Sequence, residues 1–284
     1  MNAVSQIFSR PLLATEHTEF DSGAEPLALA MAAKCGAPLA VVLPLLSNPE
    51  YEALAPQLAQ RGEIEAAAKL QALRQMAQAA GVAAELRARR GPEPYREIVD
   101  EATRLGSDLI IIRRRGQRGL IANLLLGEMV RNVVAHAPCS VLVAPRGTQM
   151  WSRRVLVAID PQASDMTPVA TAAEIAAECA LPLQVVCVVD AAADAMQQGE
   201  RALQRAWSTA RALGVSVDGF VRIGRPHQQI LAAAQQSGAD LLVIGRHGDD
   251  TLGRAWLGGV AQKVIGLADL PVLVSVTATK QAKS

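Results

Sequence analysis

Aromatic residues are scarce in this chain: Phe, Trp and Tyr make up 3% of its 284 residues, although half of the residues are hydrophobic. The core must therefore be built from Ala, Val, Leu and Ile, which suits buried parallel strands covered by small-faced helices. An excess of one charge is also missing. Lys and Arg number 28 against 27 Asp and Glu, for a formal net charge of +1. No long-range field would concentrate nucleic acid or an anionic membrane on such a surface, so neither is an expected partner. No stretch reaches the roughly 20 apolar residues that span a bilayer. Residues 1–10 show no basic stretch followed by an apolar run of signal-peptide type, so the expected location is the cytoplasm. Cys35, Cys139, Cys179 and Cys187 lie among Ala, Leu and Val with no CxxC pair, a pattern of buried, inert thiols rather than a zinc or redox site.

What the chain does have is a repeat. Arg10-Pro-Leu-Leu-Ala-Thr-Glu16 parallels Arg154-Val-Leu-Val-Ala-Ile-Asp160, and Cys35 to Leu39 parallels Cys179 to Leu183 at the same spacing. Further on, Gly106-Ser-Asp-Leu-Ile-Ile-Ile112 parallels Gly238-Ala-Asp-Leu-Leu-Val-Ile244 at a shorter spacing, because the first half has the longer middle segment. Two domains follow, over residues 1–147 and 151–280, with a connector at 145–153 containing Pro145 and Gly147. In the second half, apolar runs predict strands over Val155 to Ile159, Leu183 to Val189, Ser216 to Arg222, Leu241 to Ile244 and Val272 to Val276. Helices are expected between them: up to Ala180, from Ala191 to Leu213, from Pro226 to Ser237 and from Gly258 to Leu267. Strands alternating with helices imply an α/β fold, two tandem doubly wound domains with five-stranded parallel sheets of flavodoxin or Rossmann type. The first half follows the same plan with one long helix from Asn48 to Ala80, whose Tyr51, Leu54, Leu58, Ile64, Leu70 and Leu73 read as a packed apolar face. Ligands of such sheets bind beyond the carboxyl ends of the strands where the winding reverses. That crevice would be floored by the first and fourth strands.

Directly after the fourth strand of the second half stands Gly245-Arg-His-Gly248, followed by Gly258-Gly259-Val260 at a helix start. Glycines here permit positive φ and let main-chain N–H groups approach phosphate oxygens, and the helix N-terminus adds a positive partial charge. Asp160, ending the first strand, is an acceptor suited to ribose hydroxyls. The spacing Gly245-x2-Gly248-x9-Gly258, with the runs Val155 to Asp160 and Gly224 to Gly245, resembles the ATP-binding signature of the universal stress protein (UspA-like) family. That likeness covers nearly the whole chain twice, and the chain is identified as a tandem member. It implies an adenine nucleotide alpha hydrolase-like fold and a site for ATP or another adenine nucleotide. Ala158 and Val188 would flank the base, Asp160 and Gly245 the ribose, and Gly248, Gly258, Gly259 and Val260 the phosphates. The family has Ser or Thr after the third glycine; here Gly259 offers only its N–H, so ADP or AMP could compete with ATP. His247 is either a phosphate donor or a solvated loop residue. Asp249 and Asp250 either hold Mg2+ through water or face solvent.

The first half departs from this signature. It reads Arg113-Arg-Arg-Gly116, with Glu16 in place of Asp160 and Glu128 where a phosphate-facing hydroxyl would stand. Three readings are open for the arginines: Arg113 pairs with Glu16 and plugs the crevice, the loop is solvated, or it binds an external anion. The plug would make this half a structural partner. Strands Val141 to Ala144 and Val272 to Val276 could pair through their edges, making the chain a pseudo-dimer, with a homodimer of chains beyond that. The functional expectation is a stress or regulatory protein whose ligand is a nucleotide in the second half. Its rivals are a structural, chaperone-like interaction protein and a weak ATPase.

Overall fold

The computed structural model describes residues 7–16, 23–54, 56–114, 127–246 and 256–276. The chain divides into two compact units, one carrying residues 8–114 and 127–150 and the other 151–246 and 256–276. In the first, strand β1 (Pro11–Ala14) is followed by α1 (Ala24–Cys35), β2 (Leu39–Leu46), α2 (Pro49–Leu54), α3 (Pro56–Ala79), β3 (Ala84–Gly91), α4 (Pro94–Leu105), β4 (Leu109–Arg113), α5 (Glu128–His136) and β5 (Ser140–Ala144). The second runs β6 (Val155–Ile159), α6 (Thr167–Cys179), β7 (Leu183–Val189), α7 (Ala195–Ala212), β8 (Val217–Ile223), α8 (Pro226–Ser237), β9 (Leu241–Gly245), α9 (Gly259–Leu267) and β10 (Val272–Ser275).

Every strand pair within each unit is parallel, in the orders β3-β2-β1-β4-β5 and β10-β9-β6-β7-β8. Numbered within its own unit, each sheet has the Rossmann-half order 3-2-1-4-5 rather than the flavodoxin order 2-1-3-4-5. The winding reverses between the first and fourth strands. Leu13 is in register with Ile111, and Val157 with Val243, so the repeat read from sequence is also a repeat in register. The sheet interiors carry the core: Leu12, Leu13, Ile110, Ile111 and Leu142 in one unit, and Val155, Leu156, Val157, Leu242 and Val243 in the other, have essentially no solvent exposure.

Local signals set the helix ends. Proline occupies the first turn of α4, α6 and α8, where its missing N–H costs nothing. Gly36, Gly106 and Gly238 end α1, α4 and α8 in the left-handed conformation, each N–H closing onto two carbonyls of the last turn. Ala180 does the same for α6 at φ 53, where the first unit has Gly36. Each Gly-x-Asp run has a structural use as well. Asp108 accepts the amides of Ser9 and Arg10, and Asp240 those of Ser152, Arg153 and Arg154, which ties the start of each unit's first strand to its fourth.

The middle of the first unit departs from expectation. The helix expected over Asn48 to Ala80 is two, α2 and α3, with Pro56 fitting the first position of the second. Its apolar residues do not form one packed face. Leu73 is buried and Leu70 packs on Leu43, Leu45 and Ala66, whereas Leu54, Leu58 and Ile64 are exposed.

Candidate functional site

The second unit has a half-open cavity of about 810 Å³ at the carboxyl ends of its strands, within the range of roughly 300–1,000 Å³ that small-molecule sites occupy. Its floor comes from the ends of β6 (Ala158, Asp160), β7 (Val188, Asp190), β9 (Gly245, Arg246) and β10 (Ser275). Its wall includes the first turn of α9 (Gly258, Gly259, Val260, Ala261). The structure therefore brings together Ala158, Asp160, Val188, Gly245, Gly258, Gly259 and Val260 from four separate chain segments. His247 and Gly248, like Asp249 and Asp250, lie outside the described residues.

The α9 end is built to offer main-chain donors. The helical ladder begins with Gln262 N–H donating to Gly258 C=O at 2.9 Å. The amides of Gly259, Val260 and Ala261 thus have no partner within the helix, and the N-cap residue, Gly258, supplies no side-chain cap. Two details differ from the sequence reading. Gly258 has φ −58 and ψ 145, an ordinary extended conformation, so positive φ is not what calls for glycine there. Its N–H donates to Arg246 C=O at 3.2 Å, closing the loop between β9 and α9, and is spent within the protein. Around Gly259 there is open space: a Cβ added there would meet no heavy atom within 4 Å.

On the β6 side, one carboxylate oxygen of Asp160 accepts the Gln162 amide at 2.8 Å, which fixes the turn. A carboxylate has about four acceptor positions, so capacity remains for a ligand hydroxyl. Arg205 on α7 donates to the carbonyls of Pro161 and Ala163 at 3.0 and 3.2 Å, bracing the same turn. Three lining residues gave no sequence signal. Arg246 is half-buried, and burial lowers its pKa. Trp256, on the cavity rim, is 52% exposed. Ser275 is buried, in register with Gly245, and its hydroxyl lies 2.9 Å from that of Thr171.

The first unit treats the same place differently. By register Arg113 stands where Gly245 does, and its Nη2 lies 3.2 Å from Oε2 of Glu16. Both side chains are 12% exposed. A second charged group sits beside them at the end of β1. The buried carboxylate of Glu25 accepts Thr15 Oγ1 at 2.5 Å and pairs with Lys69 Nζ at 2.7 Å. Sequence reasoning found the first pair and missed the second, because a glutamate in a first helical turn and a lysine on a long helix both look solvated. Gly127 enters α5 at φ −55 and ψ 141, matching Gly258, so Glu128 occupies the place of Gly259.

Other features are quiet. Cys139 and Cys187 are buried, and burial pushes both thiols up to about 12, whereas Cys35 and Cys179 are only half-buried. Among the described residues no cluster of His, Cys, Asp and Glu suits a metal ion, and no helix is long and apolar enough to cross a membrane.

A tandem pair of Rossmann-half sheets, with a cavity at one switch point and charged side chains at the other, defines a tandem α/β protein with two unequal copies. The model of the universal stress protein family matches twice, over residues 12–145 and 152–275. The chain belongs to that family. Over 62 residues it is 36% identical to a universal stress protein of Methanocaldococcus jannaschii, covering 22% of this chain and 38% of that relative. Over 81 residues it is 41% identical to one from Synechocystis, covering 28% of this chain and 51% of the relative. The matched stretches thus span about half or less of these relatives' length. A crystal structure of a universal stress protein from Archaeoglobus fulgidus superposes with a TM-score of 0.73 at 21% identity, covering 95% of this chain and 96% of that one. That likeness supports the fold.

Proposed function

We propose that the second domain binds an adenine nucleotide as a regulatory ligand and that the first serves as its structural partner. One observation carries this reading: seven residues picked from the sequence for nucleotide contact line a single cavity of suitable size. In that cavity Ala158 and Val188 offer an apolar surface for the base. Asp160 offers acceptors to ribose hydroxyls, and the first-turn amides of α9 offer donors to phosphate, aided by the helix dipole.

The test is calorimetric titration of the full chain with ATP, ADP and AMP, with and without Mg2+. The expected result is one equivalent bound per chain, with binding lost in Asp160→Ala and in Gly245→Arg. The second variant copies the residue found at the matching place in the first domain. Absence of binding by the wild type to all three nucleotides would leave a protein–protein role as the better reading.

A further inference from the structure

We propose that Arg246 is the side chain that grips the ligand's phosphate, in place of the hydroxyl that Gly259 cannot offer; this rests on the nucleotide reading of the cavity. Charge balance points to it first. The lining includes the carboxylates of Asp160, Asp165 and Asp190, and among the described lining residues Arg246 is the one basic side chain. A phosphate entering beside three carboxylates needs a counter-charge, and a half-buried guanidinium supplies one that solvent screens only weakly. The main-chain donors alone are fewer than the glycine spacing suggests. Gly258 spends its N–H on the carbonyl of Arg246 itself, and Gly259 adds no side chain.

Position points the same way. The Gly258 N–H to Arg246 C=O bond of 3.2 Å fastens the root of the arginine beside the start of α9. The main chain of Arg246 and the first-turn amides therefore belong to one corner of the cavity, and a planar fork of donors carried from that root suits phosphate oxygens.

The experiment compares adenosine, AMP, ADP and ATP binding to the wild type, Arg246→Gln and Arg246→Lys by calorimetry, with thermal unfolding to verify the fold. Arg246→Gln is expected to weaken each phosphate-bearing ligand by about 10- to 100-fold while leaving adenosine unchanged. Arg246→Lys, which keeps the charge and loses the fork, should restore part of that loss. It decides the matter alone if the glutamine variant does not fold, through a selective loss of the phosphorylated ligands. Wild-type nucleotide binding that persists undiminished in both variants would overturn the role of Arg246 and leave the cavity reading standing. An equal loss of adenosine and nucleotides would also overturn it, since the arginine would then only support the fold. A wild type that binds none of the four ligands would remove the nucleotide reading and this inference with it.

Discussion

Gly259 shows how much one missing side chain decides. It is the first residue of α9, it lines the cavity, and nothing lies within 4 Å of where its Cβ would be. A serine there could be accommodated without moving a neighbour, and its hydroxyl would add a donor where we propose that phosphate binds. A hydrogen bond to a charged group contributes about 1.5–3 kcal/mol, equivalent to about 10- to 100-fold in affinity. Gly259→Ser is therefore expected to tighten binding of ADP and ATP by that factor, read from calorimetric dissociation constants. Gly259→Ala adds the Cβ without the hydroxyl and should leave affinity unchanged. Equal tightening by both would mean that helix stiffening, not a new hydrogen bond, was responsible.

At the level of elements, strand β3 and helix α4 are joined by a charged cluster. Arg89 reaches Glu97 and Glu101 at 2.7 and 2.8 Å, and Arg104 reaches Glu101 at 2.6 Å. The side chain of Glu101 is 3% exposed. The hydrogen bond from Arg104, and then that from Arg89, hold its carboxyl at about 2 against the opposing effect of burial. The folded value lies below the ordinary 4.5, so the stabilisation is full above that pH and is lost as pH falls from there through about 2. Linkage puts it on the order of 3 kcal/mol. Denaturant melts between pH 2 and 6 should show stability falling with acid, and Glu101→Gln should flatten that fall. The strands were legible in the sequence because buried parallel strands are continuous apolar runs bounded by turn residues, as Val155 to Ile159 and Leu241 to Ile244 illustrate. The division into α2 and α3 was less legible, since the periodicity continues across Pro56. The glycines and Asp160 could be found because their spacing is local. Arg246, Trp256, Ser275 and the Glu25–Lys69 pair could not, because topology, not sequence distance, decides what such side chains meet.

For the whole molecule, the question is why two copies of one fold should have diverged at the same place. Where the second domain has Gly245 and Gly259, the first has Arg113 and Glu128, and Arg113 is already engaged with Glu16. Removing the arginine alone should not create a second site. It would deprive the little-exposed Glu16 carboxylate of that ion pair, and Glu128 would still set a negative charge at the helix start, favourable to α5 but repulsive to phosphate. Arg113→Gly is thus expected to lower stability in denaturant melts while ligand stoichiometry stays at one per chain. Arg113→Gly combined with Glu128→Gly removes both obstacles, and a second, weaker equivalent of nucleotide should then appear in the titration. If wild-type protein takes up two equivalents, the first domain is open despite its ion pair, and the division of labour between the copies is wrong. If the double variant folds and still binds one, the obstacle lies deeper, and the Glu25–Lys69 pair at the end of β1 is the next to remove.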